Sequence, residues 1–217
     1  MDTARMPGIA DRRARGLLLL VLLGIVAAAG LSWLQAQTAQ RVREHEARLL
    51  LERLREVLPP PERFDNQPAL DRLLLTDPRL GSERALPVYR VRRNGRPVAA
   101  VLTVVASGYV DEIRLLVGID AGGQLIGVRA IRHRETPGLG DGIDARRSDW
   151  IRQFAGHGAG AGLALRRDGG DIDQLSGATI TSRAVVKAVR AALAVFAERR
   201  AELFASTAGS DGLESPP

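Results

Sequence analysis

This 217-residue sequence has no cysteine, and Lys187 is its only lysine. A chain without cysteine forms no disulfide and ligates no iron–sulfur cluster through thiolates. An organic cofactor is therefore the redox group that we expect, if the protein carries one. The three histidines, His45, His133 and His157, have no spacing typical of a zinc site, and we expect neither a metal site nor catalytic residues.

The basic composition does not indicate a nucleic-acid-binding protein. The net charge is +6 at pH 7, but the arginines are spread along the chain and no nucleic-acid-binding motif is present. Aromatic residues make up only 4% of the sequence. We expect no nucleic-acid partner, and we attribute the positive charge to an arginine-rich coding bias.

An uncharged, mostly apolar run near the N-terminus predicts a membrane anchor. Residues 17–34 read LLLLVLLGIVAAAGLSWL, and as a helix they would extend about 27 Å, close to the hydrocarbon thickness of a bilayer. A cleaved signal peptide is the alternative, because small residues at 27–30 permit cleavage, but the run is longer than a usual signal-peptide core. Arginines precede the run, so the positive-inside rule predicts a single span with the N-terminus in the cytoplasm.

We expect an α+β fold, in which an N-terminal transmembrane helix is followed by an antiparallel-sheet domain with packed helices. The predicted segments are a cytoplasmic N-terminus (1–15), a transmembrane anchor (16–36), a helical stalk or linker (37–80), a folded domain (81–205) and a disordered tail (206–217). Within the stalk, apolar spacing predicts a helix over 37–58, which the prolines at 59–61 end, and a short helix over 65–76.

Two hairpins are predicted in the folded domain. The first pairs Leu86–Arg93 with Pro97–Val105 around Asn94-Gly95, and the second pairs residues 112–119 with 124–132 around a turn at 120–123. Alternating apolar residues predict antiparallel strands with one buried face. A short helix over 148–154, a strand over 163–167 and a long helix over 183–204 complete the pattern.

A run of small and hydroxylated residues before the long helix is the strongest candidate for a binding site. Residues 173–182 read DQLSGATITS. Small residues let a ligand approach the backbone, and a helix start offers unpaired N–H groups to a phosphate. The hydroxyls of Thr179, Thr181 and Ser182 are placed to touch such a ligand or to cap the helix, and we interpret Thr181 and Ser182 as caps.

A second candidate is the loop HRETPGLGD, which begins at His133. Thr-Pro and repeated glycines exclude a regular element here, and a simple connector has the same composition. The glycine spacing is not that of a dinucleotide-binding loop. His133 and Glu135 would suit an acid–base pair, but we favour a role in shaping a site.

Both segments resemble motifs of the FMN-binding domain family. Asp173-x-x-Ser176-Gly177-Ala178-Thr179 is similar to the family's flavinylation motif, H-x-E-T-P-G-L-G at 133–140 is similar to its second signature, and S-G-Y at 107–109 matches a further pattern. The resemblance implies that FMN is attached to Thr179 as a phosphoester by a flavin transferase, which uses FAD and a metal ion and releases AMP. It implies that the cofactor-binding residues are Asp173, Ser176, Gly177, Ala178, Thr179, Thr181 and Ser182 in the first motif, and Glu135, Thr136, Pro137, Gly138 and Leu139 in the second. Asp173 would assist the transferase or its metal, and the second loop would wall the isoalloxazine ring.

Within that family, the T-I-T-S run, the leading apolar segment and the chain length are most similar to the G subunits of Rnf (Rsx) electron-transport complexes. The C subunits of sodium-pumping NADH:quinone reductases share the motif but are usually longer. The resemblance implies an electron carrier in a bacterial inner-membrane complex that couples electron transfer to ion movement. It would have the A, B, C, D and E subunits as partners, a periplasmic FMN domain and no independent catalysis. A flavin-free scaffold is the alternative from another class. A hydrolase using Ser176 is disfavoured, because no G-x-S-x-G motif is present.

Overall fold

The computed structural model describes residues 50–159 and 162–205, together with Leu18 and residues 22–24. The chain divides into two units, residues 1–48 and 49–217. In the first unit, Leu18 and residues 22–24 are helical, while the rest of the predicted anchor lies outside the described residues, as do residues 37–49 and the tail 206–217. Over the described ranges, no helix is both long and apolar enough to cross a bilayer.

The second unit is built on a five-stranded antiparallel sheet whose strands lie in sequence order. The strands are β1 (Arg72–Leu75), β2 (Leu86–Arg93), β3 (Arg96–Ser107), β4 (Glu112–Asp120) and β5 (Leu125–Arg132). Both predicted hairpins are confirmed, as the pairs β2–β3 and β4–β5. At the first turn, Asn94 and Gly95 have φ angles of 49° and 75°, the left-handed backbone that these two residue types adopt readily.

Both faces of the sheet are covered, so the prediction of a single buried face is wrong. One face packs against the long carboxy-terminal helix (Thr179–Phe204), through apolar residues that include Val185, Val189 and Phe196. On the other face, Tyr89, Val101 and Leu116 pack against Leu54 and Val57, at and just beyond the end of the helical segment 50–55. Eight consecutive residues of β3 are buried as a result, which explains its near-continuous apolar sequence.

Three predicted elements differ from the structure. Residues 65–76 are not a helix: a turn at Pro68 is followed by β1, where Leu73 and Leu75 pair with β2. Residues 163–167 are not a strand, because Leu165 forms a single bridge with Ile172 and the chain turns in a 3-10 helix at Arg166–Asp168. The long helix begins at Thr179, four residues before its predicted start. The short helix predicted at 148–154 is a 3-10 helix, Trp150–Phe154.

Candidate functional site

A cavity of about 370 Å³ lies where the carboxy-terminal helix begins. Its volume falls within the range of about 300 to 1,000 Å³ that is typical of small-molecule sites. The cavity is lined by Tyr109, Glu135, Thr136, Leu139, Gly140, Gly177, Ala178, Thr179, Ile180 and Thr181. The loop after His133 and the DQLSGATITS segment are distant in sequence, and the fold brings them to one site.

The turn that leads into the helix presents backbone to this cavity. Gly177 has a φ of 73°, and a Cβ there would lie 2.9 Å from Leu139 Cδ2, so a side chain would press on the opposite wall. Ala178 occupies the N-cap position, and no side chain caps the helix. The first N–H groups of a helix have no acceptor within it, so the positive end of the helix dipole lies at the cavity.

Thr181 and Ser182 are not helix caps, because the helix has already begun at Thr179. Both side chains are buried and engaged inside the protein. The Thr181 hydroxyl donates to Glu135. The Ser182 hydroxyl donates to the carbonyl oxygen of Ala178 and accepts from the N–H of Leu175, each at 3.0 Å. Ser182 therefore fixes the turn from inside and does not line the cavity.

Thr179 is the motif hydroxyl that the cavity leaves accessible. It is the first residue of the helix, it is half-buried, and it lines the cavity. Its Oγ1 lies 3.5 Å from Gln174 Oε1, at the limit of a hydrogen bond. Ser176 is exposed and is not part of the lining.

Asp173 lies outside the cavity, on the surface. Its carboxylate is exposed and pairs with Arg166, with 3.0 Å between Nε and Oδ1. Its backbone is held by the 3-10 helix Trp150–Phe154: its N–H donates to Gln153 Oε1 at 2.7 Å, and its carbonyl oxygen accepts from the Trp150 indole. The structure thus gives Asp173 a fixed backbone and leaves its carboxylate accessible to another protein.

Only some residues of the loop that begins at His133 line the cavity. Thr136 and Leu139 are exposed and line the cavity, whereas Pro137 and Gly138 are exposed outside it. Glu135 is 4% exposed and accepts hydrogen bonds from Thr181 and from the backbone N–H groups of Tyr109 and Val110. None of these bonds involves His133, whose buried Nδ1 has no partner among the described residues, so the contacts of Glu135 give no support to an acid–base pair.

Three residues that line the cavity were not predicted from the sequence to belong to the site: Tyr109, Gly140 and Ile180. Tyr109 is 68% exposed and Ile180 is 57% exposed, and with Leu139 they form an apolar rim. Gly140 is buried behind them. The S-G-Y pattern at 107–109 could have indicated Tyr109 as a site residue. Ile180 could be assigned to the site only once the helix was known to begin at Thr179. Among the residues described, no cluster of His, Asp or Glu could hold a metal ion.

Comparison with known proteins identifies the domain. Residues 108–194 match the FMN-binding domain family. The G subunit of the ion-translocating oxidoreductase complex of Shewanella baltica (strain OS223) is 40% identical over 191 residues, covering 85% of this chain and 87% of that protein. The corresponding G subunit of Pseudomonas aeruginosa (strain UCBPP-PA14) is 42% identical over 196 residues, covering 88% and 89%. The crystal structure of Shewanella oneidensis NqrC is similar with a TM-score of 0.46 and 21% identity, covering 67% of this chain and 74% of that one.

The fold, the cavity and the family match define a protein with an FMN-binding domain. The similarity to the two G subunits extends beyond this domain and covers most of the chain. The chain belongs to the family of G subunits of ion-translocating oxidoreductase complexes.

Proposed function

We propose that this chain is the FMN-carrying subunit of an ion-translocating, Rnf-type complex, within which it accepts electrons and passes them on. The observation that carries the proposal is the cavity at the uncapped helix start, in a domain that matches the FMN-binding family. FMN, when bound, supplies the electron-transfer chemistry, and the protein supplies binding, orientation and electrostatics. Independent catalysis is not part of this role.

The residues of the cavity fit FMN in two respects. The helix start offers N–H groups and a positive dipole end to the phosphate, next to the turn at Gly177, whose φ of 73° favours glycine. The rim residues Tyr109, Leu139 and Ile180 offer apolar surface to the ring system. One end of the site thus suits an anion and the other suits an aromatic group.

We further propose that the FMN is covalently bound through Thr179. In this reaction the Thr179 oxygen attacks the flavin-side phosphorus of FAD, an O–P bond forms, the hydroxyl proton is released and AMP leaves. A flavin transferase with a metal ion would catalyse the step, aided by the accessible carboxylate of Asp173. Exposure supports Thr179 over its neighbours, because Thr181 and Ser182 are buried and hydrogen-bonded while Ser176 lies off the cavity.

Peptide mass spectrometry of protein produced with a flavin transferase tests the attachment site. Thr179→Ala should abolish covalent flavin, because Thr179 is the hydroxyl of the DQLSGATITS segment that is both accessible and at the cavity. Ser176→Ala is the matched control and should retain it, with in-gel flavin fluorescence after denaturation as the second readout. FMN that maps to Ser176, Thr181 or Ser182, or that persists in Thr179→Ala, would overturn the assignment but not the flavoprotein function.

We propose a bacterial inner-membrane location, with the segment 16–36 as a single span and the FMN domain in the periplasm. The flanking arginines support this orientation. The names of the relatives, which are subunits of a multi-subunit complex, support the A to E subunits as partners. They also favour a G-type subunit over the C-type alternative. A flavin-free scaffold is disfavoured, because it would need neither the accessible Thr179 hydroxyl nor the open glycine turn beside it.

A further inference from the structure

We infer that Glu135 is the positioning residue of this site: its buried carboxylate holds together the three segments that form the cavity. This inference rests on the proposed FMN function. The segments are the turn at 107–111 after β3, the loop 133–140, and the first turn of the carboxy-terminal helix. Each contributes residues to the lining; the loop 133–140 carries the carboxylate, and the other two segments donate hydrogen bonds to it.

Both carboxylate oxygens of Glu135 accept hydrogen bonds, and they do so from different donors. Oε1 accepts from the N–H of Val110 at 3.1 Å. Oε2 accepts from the N–H of Tyr109 at 3.3 Å and from the hydroxyl of Thr181. All three partners donate, which is the pattern that an ionised carboxylate satisfies. Because these partners lie 25, 26 and 46 residues away, the bonds connect segments that are separate in sequence.

Two glycines leave the space that this carboxylate occupies. A Cβ on Gly108 would lie 2.3 Å from Glu135 Oε1. A Cβ on Gly140 would lie 2.9 Å from both Cβ and Oε2 of Glu135, and 3.2 Å from the Thr181 oxygen. The side chain of Glu135 therefore sets the same requirement at three positions, Gly108, Gly140 and Thr181: each residue must fit around it.

The carboxylate also acts on the electrostatics of the site. In the described part of the chain, its hydrogen-bond donors are neutral, and no arginine, lysine or histidine pairs with it within 4.0 Å. A buried, uncompensated negative charge interacts strongly with nearby charge, because the surrounding dielectric constant is low. Glu135 should therefore disfavour added negative charge on a cofactor in the cavity, in addition to fixing its walls.

Three variants and two controls of the full-length chain, produced with a flavin transferase, test this role. Glu135→Gln removes the charge and presents an amide to N–H donors. Thr181→Val removes one bond without changing charge, and Thr181→Ser restores the hydroxyl. As controls, Glu112→Gln makes the same charge change at an exposed site, and Thr103→Val removes a buried hydroxyl that has no partner among the described residues.

The first readout is the loaded flavin. We expect Glu135→Gln to shift the midpoint potential to a less negative value and to alter the visible spectrum. Thr181→Val should alter the spectrum, whereas Thr181→Ser and both controls should match the wild type. The inference is overturned if Thr181→Val also matches the wild type, or if Thr181→Ser is as perturbed as Thr181→Val. If Glu135→Gln does not fold, the Thr181 pair decides.

The second readout, amide hydrogen exchange of the flavin-free chain, does not depend on the proposed function. Thr181→Val should raise exchange in residues 107–111, 133–140 and 179–182 together, by roughly tenfold, the factor for the loss of one hydrogen bond of typical strength. A change confined to 179–182 would overturn the positioning role even in a flavoprotein. If the wild-type chain takes up no FMN while Thr181→Val still shows the coordinated change, the proposed function is refuted and Glu135 remains the link between the three segments.

Discussion

Asp144 provides a quantitative test of how the helical segment 50–55 is fixed to the rest of the unit. Asp144 is 5% exposed and directly follows the 3-10 helix Gly140–Ile143, which begins at the cavity. Its Oδ1 lies 3.1 Å from Nη2 of Arg53, which is itself 7% exposed. Its Oδ2 lies 2.7 Å from Nη2 of Arg146. Asp144 therefore neutralises a buried arginine that comes from the other face of the sheet.

The pKa of Asp144 sets the size of the expected effect. Burial alone would raise the pKa, but hydrogen bonds from the side chain and N–H of Arg146, together with the charges of Arg53 and Arg146, outweigh burial and lower the pKa from 3.8 to about 2. At about 1.4 kcal/mol for each pKa unit, the difference contributes about 2 kcal/mol to stability at neutral pH. Because the pKa of the folded state is the lower one, this contribution is complete above pH 3.8 and is lost as the pH falls to 2.

Asp144→Asn should lower the free energy of unfolding at pH 7 by about 2 to 4 kcal/mol, because it also leaves the buried Arg53 with only the exposed carboxylate of Glu56, 3.7 Å away, as a counter-charge. Urea unfolding of the full-length protein in detergent measures this, followed by the fluorescence of Trp150 in a Trp33→Phe background. Asp149→Asn is the matched control: its side chain is 85% exposed, and within the described ranges it pairs only with Arg152, at 3.2 Å. It should cost less than about 0.5 kcal/mol.

The dependence on pH separates this explanation from a simple packing defect. The stability difference between the wild type and Asp144→Asn should shrink between pH 5 and pH 2, since the carboxylate takes up a proton in the unfolded state, with a pKa near 3.8, before it does so in the folded state, with a pKa of about 2. An Asp144→Asn variant as stable as Asp149→Asn, or a difference that stays constant over this range, would refute the reasoning.

Two further predictions concern the packing of the unit and its orientation. Gly118→Ala should destabilise the unit by about 3 kcal/mol in the same unfolding assay, because its Cβ would lie 2.0 Å from the carbonyl oxygen of Val57. Its cross-strand partner Gly127, whose nearest neighbour would be 3.6 Å away, should accept alanine within about 0.5 kcal/mol, and equal losses at the two sites would contradict the packing described. A reporter that is active only outside the cytoplasm, fused after Ala205, should be active, and activity of a cytoplasmic reporter alone at that position would reverse the proposed topology.

Features that depend on a few neighbouring residues could be predicted from the sequence alone. The turn at Asn94-Gly95 is an example, because its left-handed backbone is a property of those two residues. The flavin motif could also be recognised from the sequence, since Gly177-Ala178-Thr179 is a pattern of neighbouring residues. These residues lie within the range 108–194 that matches the FMN-binding domain family. The family, the two hairpins and the candidate cofactor followed from such local signals.

Features that depend on contacts between segments distant in sequence could be established only from the tertiary structure. The leucines at 73–75 fit a helix or a strand, and pairing with β2 selects the strand. The helix starts at Thr179 because Ser182 and Thr181, expected to cap it, bond to the preceding turn and to Glu135. Buried polar groups must find partners wherever the fold supplies them, and those of Glu135 lie up to 46 residues away, beyond any local pattern.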